Sequence, residues 1–197
     1  MSATMIEIFS YDTDRYQFRQ WAQSVLEFGD LEALHEHPCG GAKSPGYRVY
    51  TFTHKMKDAF AGEIRERFAD FVREYVVPRV PFVPWTEVHP NMRVHEKGQQ
   101  TTSHMHRDRD YLKERGSFKI WLPFTRVAGG GTLWVESEEG RNDLKPYDMV
   151  YGQAMFFDSL NLLHGCHLND SDGTRVSIDF IVRPDPMIAY LEKLASR

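Results

Sequence analysis

A short polar segment of the chain carries residue types that bind transition metals. His106 and Asp108 are separated by a single residue. In an extended chain, side chains at positions i and i+2 point to the same side. The imidazole of His106 and the carboxylate of Asp108 can therefore reach one ion if this segment is extended. The alternative, for this segment taken alone, is a solvated polar loop that carries His104, His106, Asp108 and Asp110 without a common ligand.

A second histidine is needed to complete a metal site of this kind. His164 lies further along the chain, in a segment that also contains His167. Two histidines and one carboxylate on one face of an ion, with other positions open, are typical of iron(II) oxygenases. His104 could replace His106, although the His-x-Asp spacing would then be unused, and His167 could replace His164. The residue types alone leave these exchanges open.

A strongly β-forming segment near the end of the chain carries a possible carboxylate receptor. Arg175–Val182 alternates polar and apolar residues, which places Arg175, Ser177 and Asp179 on one face of a strand. A guanidinium can pair with a carboxylate through two parallel hydrogen bonds, and a serine hydroxyl adds a third. Inside a barrel, Arg175 and Ser177 would bind a carboxylate, whereas on a surface strand they would be hydrated. Asp179 would need a partner such as Arg175 or Arg93, or a cationic group on a substrate.

The elements before this β region are predicted to be helical and connecting. A helix capped by Asp14 is expected to extend to about Phe28, and the segment His35–Gly46 is predicted to be a loop. Lys57–Val77 has apolar residues at spacings of three and four with charges between them, which is typical of an amphipathic helix. Prolines that follow this segment are expected to end the helix.

After Trp85 the sequence changes to short β-forming runs separated by turn residues. Many short strands without helices between them indicate an antiparallel sandwich or barrel. We therefore predict a single domain over residues 1–197, mainly β, with a helical N-terminal region (1–85), a β core (86–184) and a C-terminal helix (185–197). Strands are expected at Thr86–His95, Phe118–Phe124, Gly131–Val135, Ala154–Phe157 and Arg175–Val182.

The order of these features resembles the iron(II)- and 2-oxoglutarate-dependent oxygenases, in particular their phytanoyl-CoA hydroxylase-like members. The family motif is H-x-D, a later histidine, and R-x-S beyond it. The matching positions are His106–Asp108, His164 and Arg175–Ser177. The resemblance covers about half of the chain, residues 86–184. Small members linked to aminoglycoside biosynthesis of the streptomycin type have similar sequence blocks, which here are Gly116–Pro123, Leu133–Ser137 and Thr174–Phe180.

This resemblance implies a double-stranded β-helix, also called a jelly roll or cupin-like fold, with iron(II) near one mouth. It selects His106, Asp108 and His164 as the catalytic metal ligands, because the His-Gly pair and its spacing to the arginine match the family. It also implies that 2-oxoglutarate chelates the iron while Arg175 and Ser177 hold its distal carboxylate. Related halogenases have a small residue in place of Asp108, so a carboxylate here favours hydroxylation of a small-molecule substrate with O2.

Composition limits the other classes of function. The chain has 197 residues, a formal net charge of −4 and a pI near 6.1, which give no general attraction to nucleic acid. No apolar run approaches the roughly 18 residues needed to cross a bilayer. The start of the chain lacks the features of a secretory signal. Cys39 and Cys166 lack metal-ligand spacing and are expected to be reduced thiols. We therefore expect a cytoplasmic protein without membrane or nucleic-acid partners.

Two other classes of function compete with a 2-oxoglutarate-dependent hydroxylase. One is a cupin-like metal-dependent dioxygenase or isomerase without 2-oxoglutarate, against which the pair Arg175 and Ser177 argues. The other is a non-catalytic β-sandwich that binds a ligand or protein, which would have no need to bring a metal-binding triad together. The substrate is expected to be a small polar metabolite. Residues expected at or beside the mouth of the barrel are Arg93, Gln99, Gln100, Arg109, Tyr111 and Glu136.

Overall fold

Two antiparallel sheets and a group of N-terminal helices make up the chain in its computed structural model. The structure describes residues 6–38, 45–85, 89–100, 103–111, 116–188 and 194. The helices are α1 (Thr13–Tyr16), α2 (Phe18–Leu26), α3 (Pro45–Asp58) and α4 (Glu63–Phe71). The strands are β1 (Ile6–Ser10), β2 (Asn91–His95), β3 (Phe118–Pro123), β4 (Leu133–Val135), β5 (Lys145–Tyr147), β6 (Gln153–Phe157), β7 (His164–Gly165) and β8 (Arg175–Val182).

The two sheets form the predicted jelly roll. The larger sheet has the strand order β1-β6-β3-β8-β2, and the smaller has the order β5-β4-β7. All paired strands are antiparallel. Apolar side chains from both sheets meet in one buried cluster, to which Trp121 and Met155 contribute from the larger sheet and Val135 from the smaller. The candidate site residues lie in the space between these two sheets.

Alternation along β8 decides which of its side chains reach that space. Val176, Ile178, Phe180 and Val182 pack into a second buried cluster with aromatic residues of the helices. The ring of Phe180, for example, lies 4.9 Å from that of Phe68 in α4. Because successive side chains of a strand point to opposite faces, the odd-numbered positions of β8 point away from the helices. The predicted separation of polar and apolar faces on this strand is confirmed.

The strands predicted in the β region are all present, with somewhat different ends. Asn91–His95 forms the end of the first predicted strand, whose residues 86–88 lie outside the described part of the chain. The prediction missed β5 and β7, which together with β4 form the smaller sheet. It also missed β1, which pairs with β6 at the edge of the larger sheet. The N-terminal region is therefore not purely helical, because it supplies a strand to the core.

The first predicted helix is divided in two and starts earlier than expected. The cap is Asp12 and not Asp14, since the Asp12 carboxylate accepts hydrogen bonds from the backbone N–H groups of Asp14 and Arg15, each at 3.0 Å. Gln17 has a left-handed conformation, with φ of 50°, and separates α1 from α2. A polar residue adopts this conformation at some cost, and here it redirects the chain between two helical segments.

The predicted helix over Lys57–Val77 was wrong at its start, whereas helical backbone continues through its predicted end. α3 ends at Asp58, and Gly62, with φ of 59°, separates it from α4. The positive φ at Gly62 requires a residue without a side chain, which explains why no single helix continues through this point. At its C-terminal end α4 continues as a π-turn, Val72–Val76. The loop predicted over residues 35–46 begins inside a 3-10 helix, Leu31–Glu36, and residues 39–44 lie outside the described part of the chain.

The remaining predictions concern the cysteines, the C-terminus and membrane spans. Cys166 is buried and free, whereas Cys39 lies outside the described residues. The Asp185 carboxylate accepts hydrogen bonds from the N–H groups of Met187 and Ile188, as at a helix start, but most of the predicted C-terminal helix lies outside the described residues. Over the ranges that the structure describes, every helix is too short or too polar to cross a bilayer.

Candidate metal and co-substrate site

His106 and His164 are brought together by direct backbone pairing. The N–H of each donates to the carbonyl oxygen of the other, and both distances are 2.9 Å. This antiparallel bridge places the two imidazole centroids 4.5 Å apart. Two residues far apart in sequence are thus held at one point between the sheets, as the sequence predicts for a shared ligand.

Local hydrogen bonds orient both imidazoles in the same way. Nδ1 of His106 lies 2.6 Å from the carbonyl oxygen of His104, and Nδ1 of His164 lies 2.9 Å from that of Leu162. A carbonyl oxygen can only accept, so each Nδ1 carries the proton that it donates. In the neutral ring Nε2 is then left with a free lone pair, which is the form of histidine that binds metals.

Asp108 is the third candidate metal ligand, and it directly follows Arg107, whose backbone is extended. Arg107 has an extended backbone (φ −108°, ψ 137°), which keeps the side chains of His106 and Asp108 on one side, as predicted. Asp108 then begins a 3-10 turn, Asp108–Asp110, and the strand does not continue to Asp110. Ser159 holds the carboxylate in place, because its hydroxyl donates to Oδ2 at 2.6 Å and its carbonyl accepts from the Asp108 N–H at 2.9 Å.

The donor atoms of this triad fit one transition-metal ion. Asp108 Oδ1 lies 3.3 Å from Nε2 of His106 and 3.6 Å from Nε2 of His164. One donor atom from each residue can be chosen so that all lie within 4.8 Å of one another. Donors about 2.1 Å from an ion and at right angles to each other lie about 3.0 Å apart, so the ligand side chains must move closer together to bind an ion, by about 0.3 and 0.6 Å for the two carboxylate–imidazole distances. A neutral nitrogen pair and one carboxylate form the facial set that suits iron(II).

The two alternative histidines lie outside this group. His104 and His167 are both exposed. The ring of His167 packs edge-on against Trp134, with centroids 4.8 Å apart. His104 contributes its backbone carbonyl to the orientation of His106 and is not part of the convergent set. The choice of His106 and His164 over these neighbours therefore agrees with the geometry.

A lysine that the sequence analysis did not single out enters the middle of the site. Nζ of Lys119 lies 3.0 Å from Oδ1 and 2.8 Å from Oδ2 of Asp108. It also lies 3.3 Å from Nε2 of His164. Lys119 and Trp121 project from β3 into the space between the sheets, because the intervening Ile120 packs into the helical side of the core.

Burial, hydrogen bonds and the charge of Lys119 shift the pKa values of the three candidate ligands in different directions. Burial alone would raise the pKa of Asp108, but hydrogen bonds with His106 and His164 and the charge of Lys119 hold it well below its usual range. The hydrogen bond to Asp108 raises the pKa of His106. Burial lowers the pKa of His164. The carboxylate is therefore ionised and His164 neutral near neutral pH, and protonation of the site falls mainly on His106.

Glu136 fixes the two segments that carry the ligands. Although fully buried, it does not face the mouth of the barrel, contrary to our expectation. Its carboxylate accepts hydrogen bonds from the Arg107 guanidinium at 2.6 Å, from the Leu163 N–H at 2.7 Å and from the Asn142 N–H at 3.0 Å. Burial would raise the pKa of Glu136, but these donors lower it. Arg107 and Leu163 are direct neighbours of metal-ligand candidates, so Glu136 acts on the site through the backbone.

A cavity of about 450 Å³ joins the triad to the predicted carboxylate receptor. Arg175 lines this cavity together with His106 and His164. Nε of Arg175 and Oγ of Ser177 are buried and have no hydrogen-bond partner among the residues that the structure describes. Two adjacent buried donors without acceptors are costly unless a ligand supplies them. A carboxylate is the group that would satisfy both.

The position of Arg175 depends on a glycine-rich turn, Gly129–Gly131. The Arg175 guanidinium donates to the carbonyl oxygen of Gly131 at 3.0 Å and to Sγ of Cys166 at 2.9 Å. A Cβ atom at Gly130 would lie 1.8 Å from the carbonyl oxygen of Leu168. Only glycine at position 130 allows the turn to approach Leu168 this closely. The turn therefore determines the position of the Gly131 carbonyl oxygen that accepts from Arg175.

Other residues expected near the mouth are divided between the cavity and the surface. Asp179 pairs with Arg93, whose Nε lies 2.7 Å from Oδ1, and accepts from Asn91 Nδ2 at 3.1 Å. Of the partners expected for Asp179, the structure therefore shows Arg93, in an ion pair that joins β8 to β2. Gln99 and Gln100 line the cavity together with Arg93. Arg109 instead pairs with Glu139, and Tyr111 is largely exposed with its ring edge toward His106.

Comparison with known proteins gives a relative over part of the chain. No family model matches the sequence. The streptomycin biosynthesis protein StrG of Streptomyces griseus is 36% identical over 95 residues, which make up 48% of this chain and 44% of that protein. The match therefore spans less than half of the relative's own length.

Solved structures resemble nearly the whole chain. EvdO2 from Micromonospora carbonacea var. aurantiaca, complexed with 2-oxoglutarate, has a TM-score of 0.58 at 12% identity and covers 93% of this chain and 91% of its own. HygX from Streptomyces hygroscopicus, with nickel and 2-oxoglutarate bound, has a TM-score of 0.54 at 10% identity, covering 93% and 84%. This chain shares its fold with non-haem 2-oxoglutarate-dependent oxygenases. A non-haem monooxygenase, ThoJ in complex with nickel, is similar at 13% identity with a TM-score of 0.56, covering 92% of this chain and 74% of its own.

Proposed function

We propose that this chain is a non-haem iron(II)- and 2-oxoglutarate-dependent oxygenase that hydroxylates a small polar metabolite. The observation that carries the proposal is the convergence of His106, Asp108 and His164, with both Nε2 atoms directed toward the carboxylate. A protein that only binds a ligand between its sheets has no need of such a set. Iron(II), when bound, would supply the oxidation of a substrate C–H bond by O2, coupled to decarboxylation of 2-oxoglutarate to succinate.

The chain's own residues would bind and orient the co-substrate. Arg175 and Ser177 offer two buried donors on one face of β8, and Arg175 lines the cavity together with His106 and His164. Arg175 is already held by Gly131 and Cys166, so little side-chain freedom would be lost on binding. The co-crystallised 2-oxoglutarate of EvdO2 and HygX, which share the fold, supports the choice of this 2-oxo acid.

Hydroxylation is favoured over halogenation by the carboxylate at position 108. Asp108 would occupy one coordination position, and the Ser159 hydroxyl holds its carboxylate in place. A halide would need this position to be open. The presence of a fixed carboxylate therefore supports oxygen transfer to carbon.

The cavity supports a substrate with several hydroxyl or amino groups. Its lining includes Arg93, Gln99, Gln100 and Asp179, which offer both donors and acceptors. The partial match to a streptomycin biosynthesis protein supports the same class, that of small, polar, sugar-like molecules. The cavity also has apolar lining, in which Trp121 and Leu133 provide a surface against which one face of a ring could pack.

Ligand binding and turnover test the proposal separately. The chain, freed of metal and reloaded anaerobically with iron(II), should bind 2-oxoglutarate and consume O2 with formation of succinate. A panel of aminocyclitols and amino sugars should then raise the ratio of product to succinate for at least one member. Binding of iron without any effect of 2-oxoglutarate on O2 consumption would instead indicate a cupin-like dioxygenase or isomerase. Absence of metal binding would favour a non-catalytic β-sandwich.

A further inference from the structure

The ammonium group of Lys119 occupies the space that a metal ion would need. It contacts both carboxylate oxygens of Asp108, at 3.0 and 2.8 Å, and Nε2 of His164 at 3.3 Å. The Lys119 side chain is only 14% exposed, so this contact is not a loose surface ion pair. A cation in contact with two ligand residues at once takes the same position that a metal bound to them would take.

Lys119 and a metal cannot both keep these contacts. An ion coordinated by Asp108 and His164 would lie about 2.1 Å from their donor atoms. The ammonium is within hydrogen-bond distance of the same atoms, so the two cations would touch and repel each other. Binding of the metal must therefore move Nζ of Lys119 away from His164 and from at least one oxygen of Asp108.

Once displaced, the ammonium keeps at most one oxygen of Asp108, whose negative charge the metal then shares, so it requires a further anionic partner. Of the acidic side chains described in the structure, only Asp179 lines the cavity near Lys119, and it is already paired with Arg93 and Asn91. Glu136 is likewise occupied by Arg107. A buried charge without a partner is costly. The missing anion would therefore arrive with a bound ligand.

We propose that Lys119 is a co-substrate-binding residue that exchanges its partner. Its ammonium neutralises Asp108 in the metal-free protein, and in the metal-bound protein it pairs with the metal-chelating carboxylate of the 2-oxo acid. This inference rests on the proposed function. Arg175 and Ser177 account for the distal carboxylate, whereas the chelating carboxylate lies beside the metal and hence within reach of a side chain that already extends to the metal position.

The exchange predicts opposite effects of one substitution on two ligands. Lys119→Met keeps an unbranched apolar stem but removes the charge. Nickel(II), used as the probe without 2-oxoglutarate, should bind the variant more tightly than the parent, by about tenfold or more, because no resident cation has to leave. On the nickel-loaded protein, 2-oxoglutarate should bind the variant about tenfold to a hundredfold more weakly, because a charge-assisted hydrogen bond is lost. Isothermal titration calorimetry gives both constants.

A lysine outside the site provides the matched control. Lys97 is half exposed and lies 3.8 Å from a carboxylate oxygen of the exposed Asp172, so Lys97→Met should leave both constants unchanged. Lys119→Gln, which keeps a polar group, should show the same two directions as Lys119→Met. It replaces Lys119→Met if circular dichroism shows that the methionine variant does not fold.

Each result supports or overturns a separate part of the proposal. Weaker nickel binding by the Lys119 variants would mean that the lysine positions Asp108 as a ligand, and the exchange would be wrong. Tighter nickel binding with unchanged 2-oxoglutarate affinity would overturn the pairing with the chelating carboxylate. If the parent protein binds nickel but not 2-oxoglutarate, the proposed function fails instead, and the nickel titration still decides whether Lys119 competes with the metal.

Discussion

Arg107 donates to Glu136 across 2.6 Å in a buried ion pair that lies directly behind the candidate metal site. Arg107 stands between His106 and Asp108 in sequence, and its Nε also donates to the carbonyl oxygen of Asn161 at 2.9 Å. The same glutamate accepts from the N–H of Leu163, the residue before His164. One carboxylate therefore holds both segments from which the three ligands project.

Glu136→Gln is expected to disturb this arrangement without touching a ligand. The amide would place an N–H donor among the donors of Arg107, Leu163 and Asn142, so one contact becomes repulsive. We expect nickel affinity to fall by about tenfold to a hundredfold, as is usual for groups that orient ligands. The free energy of unfolding should fall by about 3 kcal/mol, because the Arg107 charge remains buried without its counter-charge. Calorimetry and urea denaturation measure the two effects.

The matched control is Glu138→Gln, two residues away. Glu138 pairs with Arg141 at the surface, where both side chains are more than half exposed. Such pairs contribute little to stability, so this variant should behave like the parent in both measurements. Parent-like nickel affinity in the Glu136 variant would show that the ion pair does not position the ligands.

Asp108→Ala is expected to abolish metal binding and hydroxylation. It removes the one carboxylate of the set, and it leaves Lys119 buried without a counter-charge, so the metal-free protein should also lose stability. Asp110→Ala is the internal control, because the Asp110 carboxylate is exposed and, among the described residues, its hydrogen bond is with the Arg107 N–H at 3.1 Å. Metal content after dialysis against nickel distinguishes the two. Retention of metal by the Asp108 variant, with loss by the Asp110 variant, would show that the wrong aspartate was assigned.

Arg175→Ala should weaken co-substrate binding while metal binding stays nearly unchanged. Charge-assisted hydrogen bonds contribute roughly 1.5 to 3 kcal/mol each, so the dissociation constant of 2-oxoglutarate should rise by at least about tenfold. Arg175→Lys should restore only part of this affinity, because lysine lacks the planar guanidinium that pairs in two positions. Ser177→Ala should have a smaller effect in the same direction. If the Arg175→Ala variant binds 2-oxoglutarate as tightly as the parent protein, Arg175 does not bind the co-substrate.

Metal affinity should depend on pH through a single proton. Only neutral imidazole binds a metal. The pKa of His106 is raised by its hydrogen bond to Asp108, whereas burial lowers that of His164. As the pH is lowered, metal affinity should therefore begin to fall above the ordinary histidine pKa of about 6.5. Below the raised pKa of His106, the affinity should fall by about tenfold for each pH unit. Nickel titrations between about pH 6 and 8 measure this slope, and a slope of two protons would mean that His164 is protonated as well.

The candidate ligands could be predicted from sequence because their spacing is local or lies within a family motif. His106 and Asp108 share a side of an extended segment, and Arg175 and Ser177 share a face of a strand whose other face is apolar. The sequence does not show that His106 and His164 pair through their backbones, since a two-residue strand such as β7 has no detectable periodicity. That pairing depends on contacts distant in sequence.

Lys119 and Ser159 were missed for a different physical reason. A lysine in a strand is usually solvated, and a serine before a turn has many other roles. The available signal for Lys119 was its alternation with Trp121, both of which lie opposite the apolar face formed by Phe118, Ile120 and Leu122. This alternation shows on which face of β3 the Lys119 side chain lies, but it does not show that Lys119 contacts Asp108. The buried position of Glu136 could not be predicted, because the groups that donate hydrogen bonds to its carboxylate belong to residues distant from it in sequence or in a later turn.

The strand order of the larger sheet has a consequence for synthesis of the protein. In the order β1-β6-β3-β8-β2, no strand that the structure describes lies beside its immediate predecessor or successor in the chain. The sheet therefore cannot grow hairpin by hairpin as the chain leaves the ribosome. Among these five strands, β1 is made first but pairs with β6, Ile6 lying opposite Phe157, and β8 is made last and enters between β3 and β2. Pairings this distant slow folding and leave strand edges exposed meanwhile, so we expect a nascent chain that depends on chaperones until β8 has emerged.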